Sequence, residues 1–124
     1  MRLLLDTHAV LWWQTNDDRL SDEARRHIAV ADIVWVSAVS GCEVAIKTAL
    51  GRLRIDESFP LLLEIDDFTE LPLNLQHIEQ LKTLPSHHKD PFDLMLAAQV
   101  LAENAHLVTR DRAFEPYGLS VIWT

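Results

Sequence analysis

Residues 87–99 read His-His-Lys-Asp-Pro-Phe-Asp-Leu-Met-Leu-Ala-Ala-Gln, and residues 107–111 read Leu-Val-Thr-Arg-Asp. Asp90 followed by Pro91 predicts the start of a helix, because Asp is a favourable N-cap and a proline at the first helical position loses no needed N–H. The uninterrupted apolar run within the first segment predicts that this helix lies inside the domain. The second segment predicts a short buried strand that ends just before Asp111. Because ligands bind beyond the carboxyl ends of strands in open α/β sheets, we expect chemistry at this junction.

A similar junction lies near the beginning of the chain. The apolar run Arg2–Leu5 predicts a buried central strand, and Asp6 follows it directly. Taken alone, Asp6 is explained more simply as the N-cap of a helix that begins near Ala9. This helix carries Trp12 and Trp13, which cannot both face the same side. We therefore expect one of the two rings in the core and the other to be available to a partner.

A third acidic residue, Glu43, lies in the helix that follows the β-branched segment 33–36. Ser37 or Ser40 can cap this helix, and the interval from Ser40 to Glu43 has the spacing of a capping box. Glu43 could equally pair with Lys47, one turn further along the helix. The apolar residues around Glu43 favour its burial, and a buried carboxylate requires a partner.

The rest of the chain alternates between helix and strand patterns. Helices are predicted over residues 21–31, 59–67 and 74–84, and strands over residues 68–73 and 119–123. The helix over 74–84 has apolar residues at helical spacing that predict an inward face: Leu75, Ile78, Leu81 and Leu84. The alternation predicts a three-layer α/β/α sandwich with a central parallel sheet, formed by one domain over residues 1–124.

Composition limits the classes of function. The 124 residues are 48% hydrophobic and carry a formal net charge of −8, which argues against binding nucleic acid through a broad basic surface. It does not exclude a nuclease, because acidic residues that hold metal ions make a site acidic without its cations. No apolar run approaches the length of a membrane span, and the first twenty residues lack a signal-peptide pattern. Cys42 alone can form neither an internal disulfide nor a Cys-based zinc site, so we expect a cytoplasmic protein without membrane association.

Four acidic residues follow predicted strands or begin predicted helices: Asp6, Glu43, Asp93 and Asp111. Two carboxylates ~5 Å apart repel by roughly 3 kcal/mol at an effective dielectric constant of 20. Six such pairs would exceed the ~5–15 kcal/mol by which a domain is stable. If the four converge, either some protons are retained or a cation lies between them. Oxygen ligands without cysteine favour Mg²⁺ or Mn²⁺, and such ions activate water and neutralise charge on a phosphodiester.

The order of these motifs resembles that of PIN-domain ribonucleases, and more narrowly that of VapC-type toxins of prokaryotic toxin–antitoxin pairs. The resemblance covers essentially the whole chain and rests on Leu-Leu-Leu-Asp6-Thr-His, Val-Ser-Ala-Val-Ser40-Gly-Cys-Glu43, His88-Lys-Asp90-Pro-Phe-Asp93-Leu-Met-Leu-Ala-Ala-Gln and Leu-Val-Thr109-Arg-Asp111. It implies a PIN fold and endonucleolytic cleavage of RNA that depends on Mg²⁺ or Mn²⁺. It also implies a homodimer and inhibition by a cognate antitoxin, for which Trp12 or Trp13 could line the binding groove.

The resemblance implies that one acidic quartet is both catalytic and metal-binding: Asp6, Glu43, Asp93 and Asp111. Asp90 is the weaker candidate for the third position, since it is also the expected N-cap. Three hydroxyl residues beside the acids could orient carboxylates or waters, or simply cap helices: Thr7, Ser40 and Thr109. Candidates for contact with RNA phosphate are Arg110, Arg112 and Lys47, although Lys47 could instead pair with an acid. His87 and His88 are expected to be exposed or to face phosphate, because adjacent histidines in a loop seldom share one metal ion.

Two alternatives from other functional classes stay open. One is a non-catalytic PIN-fold domain that binds a partner; it would be expected to lack some of the acids, whereas all four are present. The other is a different Mg²⁺-dependent α/β phosphoryl-transfer enzyme, such as a phosphatase that forms an aspartyl-phosphate. Such an enzyme usually has a second Asp two residues after its nucleophile, where this chain has His8.

Overall fold

The computed structural model describes residues 1–55, 58–85 and 90–124. Within these residues, five parallel strands form one sheet with the order β3-β2-β1-β4-β5. The strands are β1 (Arg2–Leu5), β2 (Ile33–Ser37), β3 (Thr69–Leu71), β4 (His106–Thr109) and β5 (Val121–Trp123). The first strand of the chain is therefore the central strand of the sheet, as its continuous apolar sequence predicts.

Helices cover both faces of the sheet. They are α1 (Thr7–Thr15), α2 (Asp22–Val30), α3 (Ala38–Ala49), α4 (Phe59–Ile65), α5 (Leu75–Gln80) and α6 (Pro91–Glu103), with 3₁₀ turns at Leu81–Thr83 and Arg112–Tyr117. Side chains of β1 alternate between two apolar clusters: Leu3 and Leu5 pack in one, and Leu4 packs in the other. The first cluster includes residues of α1, α2 and α4, and the second includes residues of α3 and α6. This arrangement confirms the predicted three-layer α/β/α sandwich.

Helix boundaries follow local capping chemistry. Asp90 caps α6 and Pro91 is its first residue, as predicted. The side chain of Ser37 caps α3, so the alternative in which Ser40 caps this helix in a box with Glu43 is wrong. Gly51 follows the end of α3 with a φ of 71°, a left-handed conformation that glycine commonly adopts just past a helix.

The inward face predicted for residues 74–84 is only partly correct. Leu75 and Ile78 are 78% and 42% exposed, whereas His77 between them is 1% exposed. Asn74 and His77 form a reciprocal capping box, in which each side chain accepts the backbone N–H of the other residue. This box fixes the rotation of α5, which lasts only six residues, and turns His77 toward the core in place of the two apolar residues.

Trp12 and Trp13 are both half-buried and both pack against the first apolar cluster, so neither ring is wholly in the core. The predicted helix over residues 59–67 ends at Ile65, and the predicted strands over 68–73 and 119–123 are shorter. In the described part of the chain, no helix combines the length and the hydropathy that a membrane crossing needs.

Candidate active site

The carboxyl ends of β1, β2 and β4 lie at one edge of the sheet, because these strands are parallel neighbours. Asp6 follows β1 directly and is 5% exposed. Its Oδ1 accepts the backbone N–H of Ala9 at 2.8 Å, so Asp6 is indeed the N-cap of α1. Its Oδ2 accepts a hydrogen bond from the Thr109 hydroxyl at the end of β4. The capping role and a central position at the sheet edge therefore coexist in Asp6.

Glu43 lies at the same edge and is 4% exposed. The Thr7 hydroxyl donates to Glu43 Oε1 at 2.7 Å and lies 2.9 Å from the Ser40 hydroxyl. Lys47 Nζ donates to Glu43 Oε2 at 2.6 Å, which confirms the pair one turn apart on α3. The partner that a buried carboxylate requires is thus provided by Lys47 and by the residue that follows Asp6.

Asp93, in the first turn of α6, is the electrostatic centre of the acidic residues. Burial, the largest cause, and the charges of four neighbouring carboxylates together raise its pKa to about 7; these neighbours are Asp90, Asp111, Glu43 and Asp6. A carboxyl group surrounded by like charges keeps its proton more tightly than one in water. The described structure thus brings together the four residues predicted from the sequence, with Asp90 as a fifth.

The other two acids differ in setting. Burial raises the pKa of Asp6, while hydrogen bonds from Thr109 and Ala9 and the nearby His8 oppose that rise, and Asp111 adds to it. Asp111 is exposed and caps the 3₁₀ turn Arg112–Tyr117, with Oδ1 accepting from Ala113 N at 2.9 Å. Its own N–H donates to Thr109 Oγ1 at 3.0 Å. Thr109 therefore links Asp6 and Asp111 through one hydroxyl.

The donor set fits a hard divalent cation. Across residues 1–55, 58–85 and 90–124, no three His, Cys, Asp or Glu side chains are arranged to hold a metal ion by themselves. Mg²⁺ needs no such closed cage, because it keeps several waters and is typically held by one or two carboxylates. The cluster offers oxygen ligands only, and burial together with its like charges raises the pKa of Asp93. A cation would relieve this repulsion, so carboxylate oxygens with bridging waters suit Mg²⁺ or Mn²⁺.

Sequence reasoning missed a buried polar chain behind the acids. The Ser37 hydroxyl donates to Gln99 Oε1 at 2.5 Å, and Gln99 Nε2 lies 3.4 Å from the Pro72 carbonyl oxygen and 3.5 Å from His77 Nδ1. His77 Nε2 lies 3.5 Å from Glu103 Oε2. The only sequence signal was a glutamine at the end of an apolar helical run, because its partners are distant in sequence.

The basic candidates have separate positions. Lys47 binds Glu43, whereas Arg110 and Arg112 are exposed just after β4. Arg112 lies over the Trp123 ring at 4.1 Å and contacts Glu115 at 3.2 Å. His87 and His88 lie outside the described residues.

Comparison with known proteins identifies the family. The sequence model of the PIN domain matches residues 3–118, nearly the whole chain. This chain belongs to the PIN-domain family. This chain is 30% identical over 115 residues to Ribonuclease VapC22 of Mycobacterium tuberculosis. The match covers 89% of this chain and 87% of that protein. This similarity confirms that it is of the VapC type.

Solved structures share the fold of this PIN domain. A VapBC2 complex of Rickettsia felis bound to a DNA fragment from its promoter matches with a TM-score of 0.73 and 17% identity over 98% of both chains. VapBC-1 of nontypeable Haemophilus influenzae matches with a TM-score of 0.71 and 22% identity over 99% of this chain and 98% of that one. The catalytic and metal-binding roles of Asp6, Glu43, Asp93 and Asp111 stay predictions.

Proposed function

We propose that this PIN domain is the toxin of a toxin–antitoxin pair, an endoribonuclease that depends on Mg²⁺ or Mn²⁺. The proposed metal-binding and catalytic residues are Asp6, Glu43, Asp93 and Asp111. The observation that carries the proposal is the gathering of these carboxylates at one edge of the sheet, where burial and four neighbouring carboxylates raise the pKa of Asp93 to about 7. Such a concentration of negative charge costs stability, and a binding site for a cation gives it a purpose.

The hydrogen bonds around the acids support separate roles for them. Thr109 orients Asp6, and Thr7 with Lys47 orients Glu43, so both buried carboxylates have fixed positions. Asp93 and the exposed Asp111 complete the cluster from the side open to substrate. A divalent ion bound there would activate a water and neutralise charge on the scissile phosphate. Asp90 has the structural task of capping α6, because its Oδ1 accepts Phe92 N at 2.9 Å.

Relatives support the proposed partners. The curated relative is named a ribonuclease, and structural neighbours include VapBC complexes and a toxin–antitoxin complex from Klebsiella pneumoniae. For this protein we propose that RNA is the substrate, that a cognate antitoxin is the inhibitor and that the active form is a homodimer. We further propose that residues 1–124 act as a single PIN domain in the cytoplasm, without membrane association. The single cysteine is compatible with that reducing compartment.

The test is RNA cleavage by the purified protein with Mg²⁺ or Mn²⁺ and with EDTA. Asp6→Asn and Asp93→Asn should each lower the cleavage rate by about a hundredfold or more, because each removes a carboxylate from the proposed cation site. Asp90→Asn is a matched control that removes a charge from the same helical turn, and asparagine caps helices as well as aspartate does. We expect this control to keep its rate within about tenfold of the unmodified protein.

Three outcomes would contradict the proposal or part of it. Cleavage that persists in EDTA would overturn the metal dependence. Full activity of Asp93→Asn together with loss in Asp90→Asn would assign the third acid to Asp90. If the unmodified protein binds its antitoxin tightly but cleaves no RNA in either metal, the non-catalytic partner-binding alternative would be correct.

A further inference from the structure

An aromatic pair lies directly beside the acidic residues. His8, two residues after Asp6, stacks on Trp12 with ring centroids 5.7 Å apart and an interplanar angle of 30°. The two residues are four apart on α1 and therefore share one face of the helix. Trp12 packs partly against the core, whereas His8 is exposed. The indole thus fixes the position of a ring whose outer side faces solvent.

Arginines extend this pair into a longer surface. The guanidinium of Arg19 lies 5.0 Å from the Trp12 ring centroid, and Asp17 fixes it through a contact of 2.7 Å. The guanidinium of Arg112 lies 4.1 Å from the ring centroid of Trp123. Two arginines here therefore lie over tryptophan rings at the distances of cation–π contacts.

These groups are neighbours in space. Trp123 is paired with Thr109 in the sheet, and Arg110 and Arg112 follow Thr109 closely. The next residue, Thr124, donates from its hydroxyl to the carbonyl oxygen of Arg19 at 2.7 Å. The carboxyl ends of β1, β4 and β5 thus carry one surface, which we call the aromatic–arginine strip: His8, Trp12, Arg19, Arg110, Arg112 and Trp123.

The charge of the strip contrasts with that of the protein. The chain has 19 acidic and 11 basic residues, yet three arginines gather beside the acidic cluster. In the described part of the chain, Arg110 forms no ion pair, and its charge acts on Asp17 only at longer range. Cations that alternate with flat rings are the combination that binds single-stranded nucleic acid, because phosphates contact the cations and unpaired bases stack on the rings.

We propose that the aromatic–arginine strip binds single-stranded RNA, with one unpaired base stacked on the exposed side of His8 and the adjacent phosphates at Arg19 and Arg110. This inference rests on the proposed ribonuclease function in one respect. The RNA strand bound at the strip would continue to the acidic cluster, where its phosphodiester bond is cleaved.

Binding is measured by fluorescence anisotropy of a short, labelled single-stranded RNA in EDTA, so that no cleavage occurs. Stacking contributes about 1–3 kcal/mol per base, so His8→Ala should weaken binding by about fivefold to a hundredfold. His8→Phe keeps a flat ring and should bind within about threefold of the unmodified protein. His27→Ala removes a partly exposed histidine on α2 and should leave the affinity for RNA unchanged.

A probe with abasic sites tests the stacking itself. The unmodified protein should bind this RNA about fivefold or more weakly than the intact strand, whereas His8→Ala should bind the two equally. Arg110→Gln should weaken both probes and lower the slope of log affinity against log salt concentration by about 0.7.

The proposal would be overturned if His8→Ala still bound the abasic RNA more weakly than the intact strand, by the same factor as the unmodified protein does. It would also be overturned if His8→Ala bound RNA normally but lost affinity for the antitoxin, since the strip would then be a protein-docking surface. Failure of the proposed function looks different. If the protein binds the abasic RNA more weakly but cleaves no RNA, the RNA-binding strip is supported and the ribonuclease function is contradicted. If the protein cleaves RNA normally and His8→Ala binds RNA as tightly as the unmodified protein, the ribonuclease function is supported and the strip is contradicted.

Discussion

Helix α6 carries two polar groups with opposite electrostatic situations. Near its beginning, Asp93 has a raised pKa because of its burial and the charges of four nearby carboxylates. Six residues later, Gln99 is fully buried, and its amide contacts the Ser37 hydroxyl, the Pro72 carbonyl oxygen and His77. Charge of one sign accumulates at the first position, whereas donors and acceptors are matched at the second.

The difference separates what holds this fold together from what the fold is used for. The Gln99 chain ties the end of β2 to α6 and α5 with neutral hydrogen bonds, and each bond fixes an element that carries or supports an acidic residue. The Asp93 cluster does the opposite, since its repulsion opposes folding until a proton or a cation neutralises it. A protein selected for stability alone would keep the hydrogen bonds of Gln99 and lose the acidic cluster around Asp93.

The largest effect on stability is expected at Gln99. Gln99→Leu would leave the Ser37 hydroxyl and His77 without their buried partner, so we expect the free energy of unfolding to fall by about 2–3 kcal/mol. Gln76→Leu is the matched control on the exposed surface of α5 and should change it by less than about 0.5 kcal/mol. Urea denaturation measures both free energies of unfolding. Equal effects of the two substitutions would contradict the claim that the buried hydrogen bonds of Gln99 stabilise the fold.

Asp93→Asn should have the opposite sign. The folded protein holds the Asp93 proton with a pKa of about 7, above the ordinary aspartate value of 3.8 that applies to the unfolded chain. Stability contributed by this proton is therefore complete below about pH 4 and is lost as the pH rises to about 7. In EDTA, the substitution should be neutral near pH 4. Above pH 7 it should stabilise by about 1–2 kcal/mol, a value reduced by solvent screening of the half-exposed side chain.

Urea midpoints recorded across this pH range, with Glu79→Gln as an exposed control, test the prediction. A stabilisation by Asp93→Asn that is the same at both ends of the range would show that charge repulsion is not its cause. Added Mg²⁺ should stabilise the unmodified protein at neutral pH and stabilise Asp93→Asn less, because a ligand that binds only the folded state adds to its stability.

The smallest expected effect concerns Lys47. Lys47→Met removes the cation that contacts Glu43, but the lysine is 38% exposed, so we expect a loss of only about 1 kcal/mol in EDTA. If Mg²⁺ neutralises the same cluster, the loss should become smaller when the metal is added. An unchanged loss in Mg²⁺ would separate Glu43 from the proposed cation site.

Local sequence patterns correctly predicted those features of the fold that depend on residues adjacent in the chain. Asp90-Pro91 marked the start of α6, and the apolar run before Asp6 marked the central strand. The predicted inward positions of Leu75 and Ile78 were wrong because the Asn74–His77 capping box outweighed apolar periodicity in a helix of six residues. Periodicity in such a short helix constrains its rotation weakly.

The site was predictable to a different degree. Carboxylates that follow parallel strands must share one edge of the sheet, so the meeting of Asp6, Glu43 and Asp111 follows from the order of strands and helices. The hydrogen bonds that orient them do not. Ser37 and Gln99 are 62 residues apart, and Thr109 and Asp6 are 103 apart. No local pattern specifies which distant side chains will meet.

The central position of β1 has a consequence during synthesis. Of the five described strands, β1 is synthesised first, yet it pairs on one side with β2 and on the other with β4, which ends at Thr109. Until β4 has been made, one edge of β1 stays open and Asp6 lacks its Thr109 hydrogen bond. A nascent chain therefore cannot assemble the acidic cluster before β4 and Asp111 have been translated.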